Sequence, residues 1–342
     1  MATSRPTLAR DDVIQYRAGR MRVLLVKISS MGDVIHNLPV VGDILRARPE
    51  ARIDWIVEEA YAGLLGLHPG IAQVIPIALR RWRRAPLSAT TRGEAGVLWR
   101  RLRASHYDAI VDSQGNVKSA LVARIAHGEH LGYARESARE PLAAAFYDRG
   151  FANGPYFSQP ATRRYRALAG WALGYAPEGA PHYGLTPPPQ RPDWLAGSEP
   201  YAIALTATAR DEKLWPEAHW RSLLAQQTRA GRRVGLAWGN AAERARAERL
   251  ADGIDGAQVA PRALGLVEWA GVLAGASCVV GVDTGLSFLA AAVGAPVVAI
   301  YVATSPTHVG IVASTPHRCL GDVGQPPGVD DVFGAMQELA RA

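Results

Sequence analysis

The 342-residue chain reads as an α/β protein built from two doubly wound parallel-sheet domains. Three observations predict this. Short apolar, β-branched runs alternate with longer helix-period segments from Met21 onward, which is the βαβ pattern of a parallel sheet. The pattern breaks at residues 176–198, "APEGAPHYGLTPPPQRPDWLAGS", where six prolines and three glycines exclude a regular element. It then restarts with a second set of runs of the same kind.

Taken in order, residues 1–20 hold basic residues but no apolar stretch of a secretory signal and read as a loose leader. A first domain is expected over 21–178. Its strands are "RVLLVK", "RIDWIV", "AQVIPI" and "YDAIVD", each apolar on both faces as a buried parallel strand should be. Between the first two, "VIHNLPVVGDILRARP" reads as one helix ending before Pro49. Residues 179–198 form the linker, an extended stretch that cannot be a core element. A second domain follows over 199–325, with strands "YAIAL", "RRVGLAW", "CVVGVD" and "PVVAIY" and helices "PEAHWRSLLAQQTRAG" and "AAERARAERLADG". Residues 326–342 close the chain as a capped amphipathic helix. Two such domains imply a cleft that binds ligand where strands end and helices begin.

Composition narrows the function classes. No apolar run approaches the roughly 20 residues that span a bilayer. The cysteines are two, Cys278 and Cys319, which argues for a reducing, cytoplasmic setting and against a disulfide framework or a cysteine metal site. The net charge of +7 is lopsided: residues 1–180 carry +9 and the remainder −2. Arg80, Arg81, Arg83 and Arg84 cluster in "RRWRR", followed by Arg92, Arg100, Arg101 and Arg103. This half either meets an anionic partner or carries a solvated basic face. No helix-turn-helix, zinc-finger or RNP pattern accompanies the charge, so nucleic acid is not the expected partner. Trp82 within the cluster reads as core or as an interfacial anchor. Of the 38 basic residues three are lysine, namely Lys27, Lys118 and Lys213. In a chain that uses arginine for generic charge, these mark positions needing a compact ammonium.

Chemistry is concentrated at strand ends. "CVVGVDTGLSFLAAAVGAP" is a strand, then Asp283, Thr284, Gly285, Leu286 and Ser287, then an apolar helix whose first N–H groups form an anion site. Gly285 would admit a diphosphate close to the backbone; the plain alternative is a helix cap. In "LTATARDEKLWPEAHW", Thr206, Thr208, Arg210 and Lys213 suit phosphate oxygens, and neither loop matches a Walker A or G-x-G-x-x-G fingerprint. The first strand opens into "SSMGD", which places Asp33 where a helix should begin, as a cap or as a base at a loop tip.

These segments resemble the bacterial lipopolysaccharide heptosyltransferases over nearly the whole chain from Met21. The resemblance rests on "MRVLLVKISSMGDVIHNLP", "DWIVEEAYA", "VIPIALRRWRR", "YDAIVDSQGNVKSALVARIAHG", "AREPLAAAFYDR", "TARDEKLWPEAHWR" and "VDTGLSFLAAAVGAP". It implies a GT-B fold of two Rossmann-like domains, the first taking a Kdo-bearing lipid A acceptor and the second ADP-heptose. It implies an inverting transferase in lipopolysaccharide core biosynthesis, working at the cytoplasmic face of the inner membrane. Asp33 would be the general base. Lys213, Thr208 and the amides of Thr284, Gly285 and Leu286 would hold the departing diphosphate. Ser30 and Gly32 would lie near the donor sugar, Glu243 would bind ribose hydroxyls, and Asp283 would contact heptose or orient its loop. Arg80, Arg81, Arg83 and Arg139 would meet Kdo carboxylates and lipid A phosphates. No metal is expected from the motifs, which lack D-x-D.

Two departures from the family pattern stand out. After "VDTGLS" the family has histidine and this chain has Phe288, and the later "GPTDP"-like segment is "VATSPTHVG", where His308 is a candidate to restore a polar contact. Two other readings remain at this stage: a sister transferase acting on the first heptose, and a non-catalytic nucleotide- or lipid-binding homologue supported by Phe288 alone.

Overall fold

The computed structural model describes residues 21–188, 190, 192–195 and 200–341; the expected leader and part of the expected linker lie outside these. In the first half the elements are β1 (Arg22–Val26), α1 (Met31–Asn37), α2 (Pro39–Ala47), β2 (Arg52–Glu58), α3 (Glu59–Leu65), β3 (Gln73–Ile77), α4 (Leu79–Trp82), α5 (Ala89–Arg103), β4 (His106–Asp112), α6 (Val117–Ala123), β5 (His127–Tyr133), β6 (Arg149–Phe151) and α7 (Ala161–Leu173). The second half holds β7 (Tyr201–Leu205), α8 (Glu217–Arg229), β8 (Arg233–Leu236), α9 (Ala241–Ala251), β9 (Ala257–Val259), α10 (Leu266–Ala274), β10 (Cys278–Val282), α11 (Gly285–Ala292), β11 (Val297–Ile300), α12 (Pro306–Val309), β12 (His317–Leu320) and α13 (Val329–Leu339).

Each half forms a six-stranded, all-parallel sheet, in the orders β3-β2-β1-β4-β5-β6 and β12-β11-β10-β7-β8-β9. The two orders are equivalent once the second is numbered from β7. Each sheet therefore has one place where winding reverses: between β1 and β4, and between β7 and β10. Ligands of doubly wound sheets bind just beyond the strand ends at that reversal. Helices cover both faces of each sheet, so the central strands are buried throughout, as their unbroken apolar runs require.

Two expectations are corrected. The helix read over 34–49 is two helices meeting at Leu38, because Pro39 opens α2 at its first position and can donate no N–H to continue α1. The proline-rich stretch does contribute to the core: Tyr183 and Leu195 are buried, and the Tyr183 hydroxyl donates to the Val312 carbonyl at 2.9 Å. Its start is tied down as well. Arg166 forms a two-point ion pair with buried Asp43 (2.6 and 3.0 Å) and donates to the carbonyls of Glu178 and Gly179.

One apolar cluster runs through both halves. α1 meets α11 along a close seam, in which a Cβ added at Gly285 would fall 2.1 Å from Met31 Cε. Phe288 of α11 lies against Gly32 and tilts over the His36 ring with centroids 4.3 Å apart. A second contact joins α3 to α10, where Gly63 faces Val267. The reversal points of the two sheets are thereby held facing one another.

Candidate active site

Asp33 stands at the third position of α1, one turn beyond the end of β1. Its Oδ2 accepts hydrogen bonds from the Ser30 backbone N–H (3.1 Å) and the Ser30 hydroxyl (3.0 Å), so it does cap its helix. That accounts for one oxygen. The other, Oδ1, accepts the Tyr165 hydroxyl of α7 at 2.7 Å, and the residue lines a cavity of about 250 Å³. The sequence alternatives of cap and cleft-facing carboxylate thus coexist in one residue.

Behind Asp33 lies fully buried Lys27, the first residue after β1. Its ammonium donates to the Ser113 carbonyl at 2.9 Å and sits 3.7 Å above the Tyr165 ring. A flat guanidinium would not fit this slot in the same way, which agrees with the reading of the rare lysines. Burial lowers the pKa of Lys27 itself. At Asp33, partial burial works to raise the pKa, but the Lys27 charge, the Tyr165 hydrogen bond and the Ser30 N–H outweigh it and hold it at about 2. Asp33 is therefore an anion across the physiological range.

The loop after β4 braces the loop after β1. Buried Asp112 accepts the N–H groups of Gln114 (2.9 Å) and Gly115 (3.3 Å) and the hydroxyls of Ser119 (2.7 Å) and Tyr147 (2.8 Å). Gln114 Oε1 in turn accepts the N–H groups of Ile28 and Ser29. His36 lies one helical turn beyond Asp33 with its Nδ1 3.0 Å from the Thr162 hydroxyl, and burial lowers its pKa to about 4, so it faces Phe288 as a neutral ring.

The opposite wall of this cavity comes from the second half: Lys213, Asp283, Phe288, His308 and Val309, facing Ser30, Gly32, Asp33, Arg139, Tyr156 and Arg164. Lys213 forms a direct ion pair with Asp283 Oδ2, which also accepts the Thr304 hydroxyl at 2.8 Å; the Thr208 hydroxyl donates to the Asp283 carbonyl at 3.1 Å. Asp283 thus gathers the two strand-end loops of the second sheet. An adjoining cavity of about 300 Å³ is lined by Thr206, Thr208, Trp238, Glu243, Trp269, Thr284 and Leu286, with Met31 reaching in from α1. Glu243 caps α9: its Oε2 accepts the Gly239 N–H at 2.7 Å and its Oε1 an Asn240 amide at 2.8 Å. Among the described residues no group of three or more His, Cys, Asp and Glu could hold a metal ion.

Most of the expected site residues are brought together, and two groups behave differently. Gly285 provides room for Met31 at the α1–α11 seam, which explains a glycine there without a diphosphate. Arg80, Arg81 and Arg83 do not line the Asp33 cavity. Arg80 donates to the Tyr61 hydroxyl at 3.0 Å, Arg81 is paired with Glu59 and Glu94 (both 3.0 Å), and only Arg139 of the four reaches the cavity. Sequence reasoning did not pick out Tyr156, Arg164, Tyr165 or the tryptophans Trp238 and Trp269. Arg164 is buried and donates to the Tyr156 carbonyl at 2.6 Å. A buried arginine in an otherwise ordinary helix carries no local pattern that marks it.

Residues 96–329 match the sequence profile of glycosyltransferase family 9 (heptosyltransferase). The chain belongs to this family. It is 46% identical over 324 residues to lipopolysaccharide heptosyltransferase 1 of Salmonella typhimurium, covering 92% of this chain and all of that protein. The protein of the same name from Pseudomonas aeruginosa is 45% identical over 295 residues, 85% of this chain and 81% of its own length. The solved structure of E. coli heptosyltransferase WaaC with ADP superposes with a TM-score of 0.84 at 39% identity, over 93% of this chain and all of that one. The family resemblance and the GT-B architecture expected from the sequence are borne out.

Proposed function

We propose that the protein is an inverting heptosyltransferase that moves heptose from ADP-L-glycero-D-manno-heptose to the inner-core Kdo of lipid A–Kdo2, at the cytoplasmic face of the inner membrane. The observation that carries this reading is the meeting of two sheet reversal points on one cavity, with an anionic carboxylate on one wall and a lysine beside a helix N-terminus on the other. Likeness to heptosyltransferases with ADP or an ADP-heptose analogue bound supports the donor.

The donor's nucleoside lies in the Trp238–Trp269 cavity with Glu243 near the ribose, and its diphosphate reaches the amides of Thr284, Gly285 and Leu286. Lys213 and Thr208 stabilise the charge that grows on the diphosphate as the bond from C1 breaks. Ser30, Gly32 and Asp283 surround the heptose. A Kdo hydroxyl attacks C1 from the face opposite ADP, forming the new C–O bond while the C1–O bond to phosphate breaks, which inverts the anomeric centre. The hydroxyl proton passes to Asp33. A carboxylate this acidic can take it because the hydroxyl becomes acidic only as the C–O bond forms, late in the step. Arg139 is placed for the Kdo carboxylate. Arg80 and Arg83 lie outside the cavity and would meet the lipid A part of the acceptor, while Arg81 is held by Glu59 and Glu94. The cation and helix amides perform the charge neutralisation of the leaving group from the protein's own side chains and backbone.

The test is ADP release from ADP-heptose with and without a Kdo-bearing lipid A acceptor, for wild type and Asp33→Asn. Acceptor-dependent release, reduced at least about a hundredfold by the substitution, is expected. Release that survives in Asp33→Asn moves the base elsewhere, and no release under any condition removes the transferase reading.

A further inference from the structure

Residues 79–103, "LRRWRRAPLSATTRGEAGVLWRRLR", hold eight arginines and a single acid, Glu94. Arg81 spends its charge on Glu59 and Glu94, and Arg101 donates to the Val74 carbonyl. Arg83, Arg84, Arg92, Arg100 and Arg103 have no carboxylate partner among the described residues. Trp82, the tryptophan inside the basic motif, is half-buried against the first-half core and gives its Nε1–H to Glu94 at 2.6 Å. It is a core residue. The exposed tryptophan is Trp99, which the sequence did not single out.

At about 3.6 residues per turn, positions 92, 96, 99 and 103 of α5 stack into one stripe with 100 beside it, 91, 98 and 102 form a second stripe roughly a third of a turn away, and 97 points away from both. The buried side is indeed Thr91, Leu98 and Leu102. One exposed stripe then carries Arg92, Trp99 and Arg103, flanked by Arg100, with the Arg103 guanidinium over the Trp99 ring, while Val97 is exposed on another side of the helix. Leu87, in the turn leading into α5, is 80% exposed, Val97 57% and Trp99 53%. Beside Val97 a hollow of about 690 Å³, walled by Ile75, Ile77, Trp82 and Leu98 and lined also by Arg100, Arg101 and the Arg81-paired Glu59 and Glu94, carries the apolar surface inward. Large apolar side chains standing in water among unpaired cations are costly on a surface that faces only solvent. They are in place on a helix lying at a boundary between anionic headgroups and acyl chains.

We propose that the α4–α5 face docks the protein onto an anionic lipid leaflet, with Leu87 and Trp99 entering the acyl boundary and the unpaired arginines meeting lipid phosphates. Among the described residues no helix is long and apolar enough to cross a membrane. The proposal goes beyond the reaction and rests on it only for the purpose of the attachment.

The test uses the full chain in co-sedimentation with vesicles of phosphatidylcholine alone or mixed with phosphatidylglycerol, at low and high salt. Two variants accompany it: Leu87→Ser with Trp99→Ser, and Arg100→Glu with Arg103→Glu. The expected result is binding to the mixed vesicles that weakens with salt and falls at least about tenfold in both variants. Turnover of a deacylated, soluble acceptor should stay unchanged, which reports that the variants fold. Equal binding to both vesicle types, variants that bind like wild type, or self-association through this face in place of vesicle binding would each overturn the proposal. Vesicle binding without any turnover would leave the docking face standing and remove the proposed reaction instead.

Discussion

Asp33 combines three constraints in one side chain, and they predict how it titrates. Its pKa of about 2 lies below the ordinary value of 3.8, so the folded state gains stability from its ionisation above the unfolded-state pKa and loses it as pH falls through about 2. The gain is on the order of 2 kcal/mol. Tyr165→Phe removes the hydrogen bond to Oδ1 while keeping the ring beneath Lys27. With that bond gone, the Asp33 pKa rises toward its ordinary value. The acid limb of the kcat/KM profile should then move to higher pH by about half a unit to one unit, with donor KM little changed. An unmoved acid limb would show that Tyr165 does not act through Asp33. On the facing wall, His308 lines the cavity beside Phe288, as its place after β11 suggested. His308→Ala is expected to raise the donor KM severalfold, and an unchanged donor KM removes it from the donor site. Phe288 itself fills the seam against Gly32 and His36, so packing accounts for an apolar ring at this position.

At the scale of elements, legibility followed burial. The central strands β1, β2, β4, β7, β10 and β11 are continuous apolar runs and could be read directly. So could β8 and the edge strand β3, whose "AQVIPI" stays apolar, whereas β5, β6, β9 and β12 could not: "HGEHLGY" mixes histidine, glycine and glutamate, and "RGF" and "AQV" are three residues each. Such strands are specified by the neighbour they pair with, not by their own pattern. The site was readable wherever a loop is short and chemically biased, as at "SSMGD" and "VDTGLS". Arg164 and Tyr165 were hidden because they enter from α7, whose sequence resembles any half-buried helix, and Tyr156 because it lies in the irregular loop before it. The α1–α11 contact can be tested as a pair. Gly285→Ala places a methyl group into Met31 and should cost about 1–3 kcal/mol. Met31→Ala in the same chain should recover much of that loss, with a coupling above about 0.5 kcal/mol in a double-mutant cycle of thermal or urea unfolding. Additive effects would mean that the two side chains do not meet.

For the molecule as a whole, the uneven charge seen in the sequence resolves into separate jobs. The basic half carries Arg139 at the cavity and the arginines of α4 and α5 well outside it, so one compositional signal covered two surfaces. Sequence could register the excess charge but not its division, because which arginines find carboxylates depends on where Glu59 and Glu94 fall in space. The seam between the halves has a further implication for how such proteins diversify. Met31 occupies the space that Gly285 leaves open, and Phe288 rests on Gly32, so each half carries part of the other's surface. A hybrid joining the acceptor half of one relative to the donor half of another keeps both sheets and both loops intact. It still fails to close unless these four positions are inherited from the same parent. Recombination between acceptor and donor specificities is therefore limited by two side chains and the two glycines they pack against.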